Sequence, residues 1–160
     1  IAKFEYIKNR LLSFFDTENG TYNFQSDKAL DSITSGGFFG KGIGEGVLKN
    51  KVPEAHTDYI ISVISEEFGV IAIILILVLF LVFAYSILKK VSMETDSKTK
   101  LILVGCVSLI LLQAMIHIGV NIRLFPTTGM TLPFLSYGGS SIVSISILSG
   151  IILNLTKRRV

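Results

Sequence analysis

Residues 68–88 decide the fold of this chain, and their sequence is FGVIAIILILVLFLVFAYSIL. The run is 21 residues long, lies between Glu67 and Lys89, and contains no formal charge. Roughly 20 apolar residues are enough for a helix to cross the hydrocarbon core of a bilayer. The run therefore predicts a first transmembrane helix at 68–88.

Two further spans are predicted downstream of this run. Residues 101–122 again carry no formal charge. Residues 124–156 are also uncharged, but two prolines and a glycine near their start forbid one continuous helix. We therefore expect a third span at 137–156, preceded by an ordered non-helical or re-entrant loop at 123–136.

The composition of the whole chain is that of a membrane protein. Half of its 160 residues are hydrophobic, 17% are charged, and the mean hydropathy is +0.63. The net charge of +3 does not indicate nucleic-acid binding, because the basic residues flank the spans. Cys106 stands alone, which excludes a disulfide framework and a metal–thiolate cluster. The chain begins at Ile1 without a visible signal sequence, and we expect it to be a piece of a longer polytopic protein.

Basic residues predict the direction of the spans. Four lysines lie in the short connection 89–100, and a lysine and two arginines lie in the tail 157–160. Short segments rich in lysine and arginine stay in the cytoplasm. Both segments are therefore predicted to be cytoplasmic, and residues 1–67 and 123–136 are predicted to be extracytoplasmic.

The outer region 1–67 is predicted to hold short helices and a glycine-rich turn that lead into the first span. Phe4 to Phe15 is typical of an interfacial amphipathic helix, and Asp16 to Gly20 is typical of a turn. Pro53 suits the first turn of a helix that would run through Asp58 and Glu66 into the span.

Residues 52–59 gather two carboxylates and an imidazole just ahead of the first span. Glu54, His56 and Asp58 could ligate a divalent cation, take part in proton transfer, or solvate a helix start. On the predicted helix Glu54, Asp58 and Ser62 would share one face. Capping explains Glu54 well, but it explains Asp58 poorly, because Asp58 would lie a full turn inside the helix.

The glycine-dense loop at 35–46 leaves two interpretations open. It is not a Walker A motif, because Ser35 stands where that pattern requires glycine, and Gly42 stands where Ser or Thr should follow Lys41. The loop is either a tight turn lying on the membrane or a backbone cradle for a substrate diphosphate.

Polar residues at helical spacing give the second span a polar face. Gln113, His117 and Asn121 either hydrogen-bond to other helices or line a hydrophilic cavity with Arg123 at its mouth. Residues 136–141, with the sequence SYGGSS, enter the third span, where they suit either close packing or an anion at a helix N-terminus.

Several stretches match one family in order and cover nearly the whole chain. They are Arg10 to Phe14, Gly36 to Gly42, Pro53 to Asp58, Glu66 to Gly69, and Pro126 to Phe134 running into Ser136 to Ser141. Together they resemble the shape, elongation, division and sporulation (SEDS) family of peptidoglycan glycosyltransferases, whose members include FtsW and RodA. Gly44 to Gly46 and Gly129 to Pro133 lean toward the FtsW type. His117, where Asn is expected, and a loop at 16–20 without its usual proline depart from the family pattern.

The resemblance implies an all-α integral membrane enzyme of about ten helices. This chain would hold its three C-terminal transmembrane helices and the large preceding extracytoplasmic loop. The enzyme would polymerise lipid II into peptidoglycan strands during cell division and cell-wall growth, on the outer face of the bacterial inner membrane. Its implied partners are a class B penicillin-binding protein transpeptidase and divisome proteins. The chain by itself is expected to be inactive.

The resemblance also implies roles for individual residues. Asp58 would be the general base that deprotonates the acceptor sugar hydroxyl. A divalent cation, Mg²⁺ or Mn²⁺, stays open as a cofactor. The residues predicted to bind substrate are Lys41, Glu54, His56, Thr57, Arg123, Ser136, Tyr137, Gly138, Gly139 and Ser140.

Two other functions remain open. In a lipid II transporter, or flippase, the polar face of the second span would line a path and Asp58 would bind rather than react. A non-catalytic divisome scaffold would only recruit partners. A transporter is expected to carry charges deeper in its spans, whereas the three predicted spans contain no carboxylate.

Overall fold

The computed structural model of this chain describes residues 24–51 and 55–157. Within these two ranges the chain is all-helical. It forms five helices, α1 (Phe24–Gly36), α2 (Leu48–Lys51), α3 (Ile60–Met93), α4 (Ser97–Asn121) and α5 (Gly139–Thr156). The helix predicted at Phe4 to Phe15 and the turn predicted at Asp16 to Gly20 lie outside the described residues. The sequence did not single out α1 as a helix.

The helices α3, α4 and α5 are each long and apolar enough to cross a membrane, with 34, 25 and 18 residues. Segment 68–88 lies within α3, α4 covers 97–121, and α5 begins at Gly139. Large apolar side chains on their outer faces are open, such as Leu81 at 67% and Leu153 at 70% exposure. In water such faces would be unstable, whereas lipid or neighbouring helices can cover them. The chain is therefore an all-α integral membrane protein, as the sequence predicts.

The start of α3 differs from the sequence prediction. A helix was expected to run from Pro53 through Asp58 into the first span. Pro53 lies outside the described residues, residues 55–59 form turns, and α3 begins only at Ile60. The predicted helix is therefore wrong at Asp58, and the shared face of Asp58 and Ser62 does not exist.

A break divides α3 at Gly69, whose φ of 79° and ψ of −178° are open essentially only to glycine. A Cβ atom at this position would collide with the carbonyl oxygen of Phe38 in the glycine-dense loop. The loop lies against the break through three backbone hydrogen bonds, from Lys41 N to Glu66 O at 2.8 Å, from Gly42 N to Glu67 O at 3.1 Å and from Val70 N to Gly37 O at 3.0 Å. The glycines thus allow two backbones to touch.

Three hydrophobic clusters of the described residues pack the helices together, and two of them are large. Near the middle and one end of the spans, α3, α4 and α5 bury Ile87, Ile110 and Ile152 against one another. Near the other end, α1 packs through Ala29 against Tyr59, just before α3. A cleft between residues 55–59 and the loop from α4 to α5 lies at this second end.

The predicted cytoplasmic lysines meet at the opposite end of the spans. Lys89, Lys90 and Lys157 line one cleft, and the ammonium group of Lys90 donates to the Thr156 carbonyl at 3.3 Å. In the same region Asp96 caps α4. Hydrogen bonds from the Thr99 hydroxyl and from backbone N–H groups hold the pKa of the Asp96 carboxyl below its usual value.

Candidate functional site

A cleft of about 530 Å³ lies between the turn at 55–59 and the loop that connects α4 to α5. It brings together residues that are far apart in the sequence. Its lining residues are His56, Thr57, Asp58, Gly129, Thr131, Tyr137 and Gly138. The lining thus includes five of the residues named from the sequence as catalytic or substrate-binding.

Three consecutive carbonyl groups fix the turn that carries Asp58. The His56 carbonyl accepts a hydrogen bond from Tyr137 N at 3.2 Å. The Thr57 carbonyl accepts from the Ser136 hydroxyl at 2.8 Å, and the Asp58 carbonyl accepts from Asn121 Nδ2 at 2.9 Å. In an α-helix these carbonyls would bond to N–H groups four residues further along the same chain. Bonds to distant segments therefore replace the helix that the sequence predicts here.

The opposite wall of the cleft is held by the polar face of α4. His117 Nδ1 donates to the Met130 carbonyl at 2.8 Å, so this nitrogen carries the proton. Gln113 Nε2 donates to the Thr131 carbonyl at 2.9 Å. The sequence left two interpretations of this face, hydrogen bonding to other helices or lining of a hydrophilic cavity, and each describes only part of what the structure shows. Its side chains mainly hold the two walls of the cleft, and Asn121 also bonds to α3.

The cleft combines a carboxylate with the N-terminal end of a helix. Asp58 is half-buried, and an added Cβ on Gly129 would lie 3.8 Å from Asp58 Oδ2, so this carboxylate oxygen faces Gly129 across the cleft. Gly138, in the lining, is the N-cap residue of α5. Helix N-termini carry partial positive charge and favour anions. The arrangement can therefore take a proton on one side and receive a negatively charged group on the other.

Residues 136–141 pack closely, as one of the two interpretations of their sequence predicts, and an anion at the start of α5 stays a prediction. Ser136 is buried behind the cleft, where its hydroxyl also accepts from Leu132 N at 2.8 Å. Thr131 donates its hydroxyl hydrogen to Ser141 Oγ at 2.6 Å, which joins the loop to α5. Tyr137, by contrast, is 79% exposed in the cleft. Gly139 and Ser140 begin α5 beside the cleft but are not part of its lining.

Lys41 lies elsewhere. Its ammonium group is 2.9 Å from Glu66 Oε1, and Glu66 is only 2% exposed. The second oxygen of Glu66 accepts from Leu48 N at 3.0 Å. The N–H groups of Lys41 and Gly42 donate to the carbonyls of Glu66 and Glu67. These groups of the glycine-dense loop are occupied by α3, so the loop docks on α3 and these three groups do not form a diphosphate cradle.

Arg123 is also engaged outside the lining. Its Nη1 lies 2.5 Å from Asp27 Oδ1 on α1, and its backbone has a φ of 60°. This ion pair links the end of α4 to α1. Glu54, the remaining predicted substrate contact, lies outside the described residues.

The lining of the cleft offers few ligands for a divalent cation. His56 and Asp58 are its only imidazole and carboxylate groups, and the described part of the chain holds no group of three or more His, Cys, Asp or Glu suited to a metal. Mg²⁺ and Mn²⁺ prefer several oxygen ligands. These two side chains alone do not make such a site.

Sequence reasoning missed the cleft contacts of Gly129 and Thr131 and the role of Asn121 beneath Asp58. A signal for Asn121 was present, because Gln113, His117 and Asn121 recur at one-turn spacing on α4. Their partners could not be read from the chain, since they lie in segments that only the fold brings together.

Comparison with known proteins agrees with the motifs. The family model for FtsW, RodA and SpoVE, described as a cell cycle protein, matches residues 1–160. The chain is 38% identical over 156 residues to the probable peptidoglycan glycosyltransferase FtsW of Caulobacter vibrioides. The matched region covers 98% of this chain and 40% of that protein. The chain is 42% identical over 154 residues to the probable FtsW of Trichlorobacter lovleyi, with 94% and 40% covered. It is 41% identical over 135 residues to stage V sporulation protein E of Bacillus subtilis, with 84% and 37% covered.

A solved structure has the same fold. It comes from work on the structural coordination of polymerization and crosslinking by a peptidoglycan synthase complex. The TM-score is 0.77 at 24% identity, over 94% of this chain and 41% of that one. This chain spans about 40% of the length of the curated relatives it matches. The resemblance drawn from the sequence motifs is confirmed, and the chain belongs to the FtsW/RodA/SpoVE family of cell cycle proteins.

Proposed function

We propose that the full-length protein is a peptidoglycan glycosyltransferase of the FtsW type that polymerises lipid II, with Asp58 as its general base. The observation that carries the proposal is the cleft in which Asp58 faces the loop and the N-terminal end of α5. The names of its relatives, including probable peptidoglycan glycosyltransferase FtsW, support the reaction class. Because this chain spans about 40% of such relatives, the activity refers to the whole protein, and the chain alone is expected to be inactive.

The proposed reaction joins two lipid-linked sugars. The Asp58 carboxylate takes the proton from the acceptor hydroxyl while the hydroxyl oxygen attacks the anomeric carbon of the donor. The bond between that carbon and the diphosphate oxygen breaks, and undecaprenyl diphosphate leaves with the electron pair. A positioned base contributes about 10²–10⁴ in rate.

The leaving diphosphate is an anion, and the start of α5 suits it. Gly138 lines the cleft, and Gly139 and Ser140 are the first residues of the helix. Their position supports diphosphate binding at the positive end of α5. The exposed Tyr137 and the opposite wall at His56 and Thr57 would contact the sugars. Substrate contact by Glu54 stays a prediction from the sequence.

Ion pairs argue for supporting roles of Lys41 and Arg123. A substrate phosphate would have to displace Glu66 from Lys41 or Asp27 from Arg123. We propose that Lys41 instead holds the glycine-dense loop against α3, and that Arg123 holds α1 against the end of α4.

The cleft is proposed to face the extracytoplasmic side of the bacterial inner membrane. The lysines of the cleft at the opposite end support this direction, because positive residues stay in the cytoplasm. The fold shared with a chain from a peptidoglycan synthase complex supports a class B penicillin-binding protein transpeptidase as partner. Divisome proteins are proposed as further partners because the matching family model is described as a cell cycle protein.

A transporter receives less support from the side chains. Gln113, His117 and Asn121 would have to line its path, yet each is bonded to a wall of the cleft. A scaffold that only recruits partners would give the Asp58 carboxylate in the cleft no role, so it also receives less support.

The experiment is synthesis of glycan strands by the purified full-length protein in detergent, with lipid II as substrate, alone and with the partner transpeptidase. Detergent removes the two sides of the membrane, so transport produces nothing measurable. We expect strands that resolve as a ladder on a gel. Unchanged lipid II in both mixtures, from protein that remains monodisperse, would contradict the proposal.

A further inference from the structure

Asn121, the last residue of α4, is completely buried and uses its whole side-chain amide. Oδ1 accepts from Ser62 N at 3.2 Å and from Ser62 Oγ at 2.7 Å. Nδ2 donates to the Asp58 carbonyl and to the His117 carbonyl, both at 2.9 Å. The orientation of the amide is fixed, because Ser62 N can only donate and the two carbonyls can only accept.

These contacts stand in place of one helix hydrogen bond. If α3 continued backward through Asp58, Ser62 N would donate to the Asp58 carbonyl. In the structure the amide of Asn121 lies between the two groups, with Oδ1 on Ser62 N and Nδ2 on the Asp58 carbonyl. Tyr59, the N-cap residue, gives no side-chain hydrogen bond to the helix. Asn121 therefore caps α3 from another helix.

We propose that Asn121 is a positioning residue that stops α3 and thereby directs the Asp58 carboxylate into the cleft. The inference rests on the proposed function and deepens it. Each residue added to a helix turns the side-chain direction by about 100°. Extension of α3 by one turn would carry Asp58 onto a helical surface and away from Gly129. A misplacement of about 1 Å in a catalytic group can cost about 10²-fold in rate.

The amide, rather than the size of the side chain, is required for this role. An aspartate at position 121 has nearly the same shape, but a carboxylate cannot donate to the carbonyls of Asp58 and His117. Alanine removes the same bond without placing a charge in a buried site, and it lets Ser62 N bond directly to the Asp58 carbonyl.

The test compares Asn121→Asp, Asn121→Ala and Ser62→Ala in the purified full-length protein. The measurements are kcat and KM for lipid II, expressed per monodisperse protein. We expect both Asn121 variants to lose about 10–100-fold in kcat while KM stays within about twofold. Ser62→Ala keeps the bond from Nδ2 to Asp58 and is expected to lose much less. Asn154→Asp, an exposed asparagine near the other end of α5, is the matched control and should behave as the wild type.

Asp58→Asn is measured beside them to separate two failures. If Asp58→Asn is as fast as the wild type, the proposed function of Asp58 fails. If Asp58→Asn is inactive but both Asn121 variants keep the wild-type kcat, only the positioning role is overturned. It is also overturned if the loss appears only as a smaller yield of folded protein, with normal kcat per folded molecule. Should Asn121→Asp fail to fold because of its buried charge, Asn121→Ala decides alone, and a normal kcat there is contradictory.

Discussion

Ser136 donates its hydroxyl hydrogen to the carbonyl oxygen of Thr57 over 2.8 Å, which joins the two walls of the cleft across 79 residues of sequence. The same hydroxyl oxygen accepts from Leu132 N at 2.8 Å, and the residue is buried. One serine therefore fixes the shape of its own loop and the position of the turn that carries Asp58.

We expect Ser136→Ala to destabilise the full-length protein by about 1–3 kcal/mol, because a buried donor and a buried acceptor lose their partner. Activity should fall as well, since the turn at 55–59 loses one of its three anchors. Thermal unfolding in detergent measures the first effect. Ser144→Ala is the control, because Ser144 is exposed and its hydroxyl bonds only to a carbonyl of its own helix. Equal stability of the two variants would contradict the role of Ser136.

Gly69→Ala should be more damaging than an ordinary helix substitution. The backbone at this position is strained for any other residue, by about 1–3 kcal/mol, and the new methyl group would push the Phe38 carbonyl away from α3. We expect a lower unfolding temperature and loss of the docked glycine-dense loop, seen as faster hydrogen exchange at Val70 N. Gly150→Ala, where an added Cβ meets no atom of the described chain within 4 Å, should be tolerated. Wild-type exchange at Val70 in the Gly69 variant would refute this account of the break.

Lys41→Met is expected to lower stability rather than substrate affinity. The change leaves the buried Glu66 carboxylate without its cation and should cost about 1–3 kcal/mol. The double variant Lys41→Met with Glu66→Gln should recover part of the loss, because the unpaired charge is gone. Unfolding temperature and KM for lipid II distinguish the two roles. A large rise in KM that persists in the double variant would instead identify Lys41 as a substrate contact.

Three long apolar helices could be predicted because an apolar run of about 20 residues can cross a bilayer as a helix, which satisfies its own backbone hydrogen bonds. Helix α1 could not, because the face that it buries carries small and polar residues, Ser26, Ala29 and Ser32, rather than large apolar side chains. Tertiary contact, not local preference, makes this segment a helix.

The candidate site was predictable in part of its membership but not in its geometry. Asp58, Tyr137 and Gly138 were named from the sequence and line one cleft. The turn at Asp58 was missed because Asn121, the side chain that stops the helix, stands 63 residues away. The local sequence favours a helix that continues back through Asp58, but the amide of Asn121 occupies the hydrogen-bonding groups that such a helix would use.

The direction of the chain in the membrane is testable with single cysteines in a Cys106→Ala background. Thr128 is exposed in the loop between α4 and α5, and Ser97 is exposed at the start of α4. A membrane-impermeant maleimide should label Thr128→Cys in intact spheroplasts and should reach Ser97→Cys only after permeabilisation, because the lysine-rich end stays inside. The reverse pattern would overturn the proposed orientation.

Whether Asp58 is the general base is decided by the initial rate of strand synthesis from purified lipid II by the full-length Asp58→Asn variant. Asparagine keeps the size of the side chain and removes the base, so folding, membrane insertion and partner binding should be unchanged. We expect a loss of at least about 10²-fold, the lower range for a positioned general base. Strand synthesis at the wild-type rate by a correctly folded Asp58→Asn protein would contradict this role of Asp58.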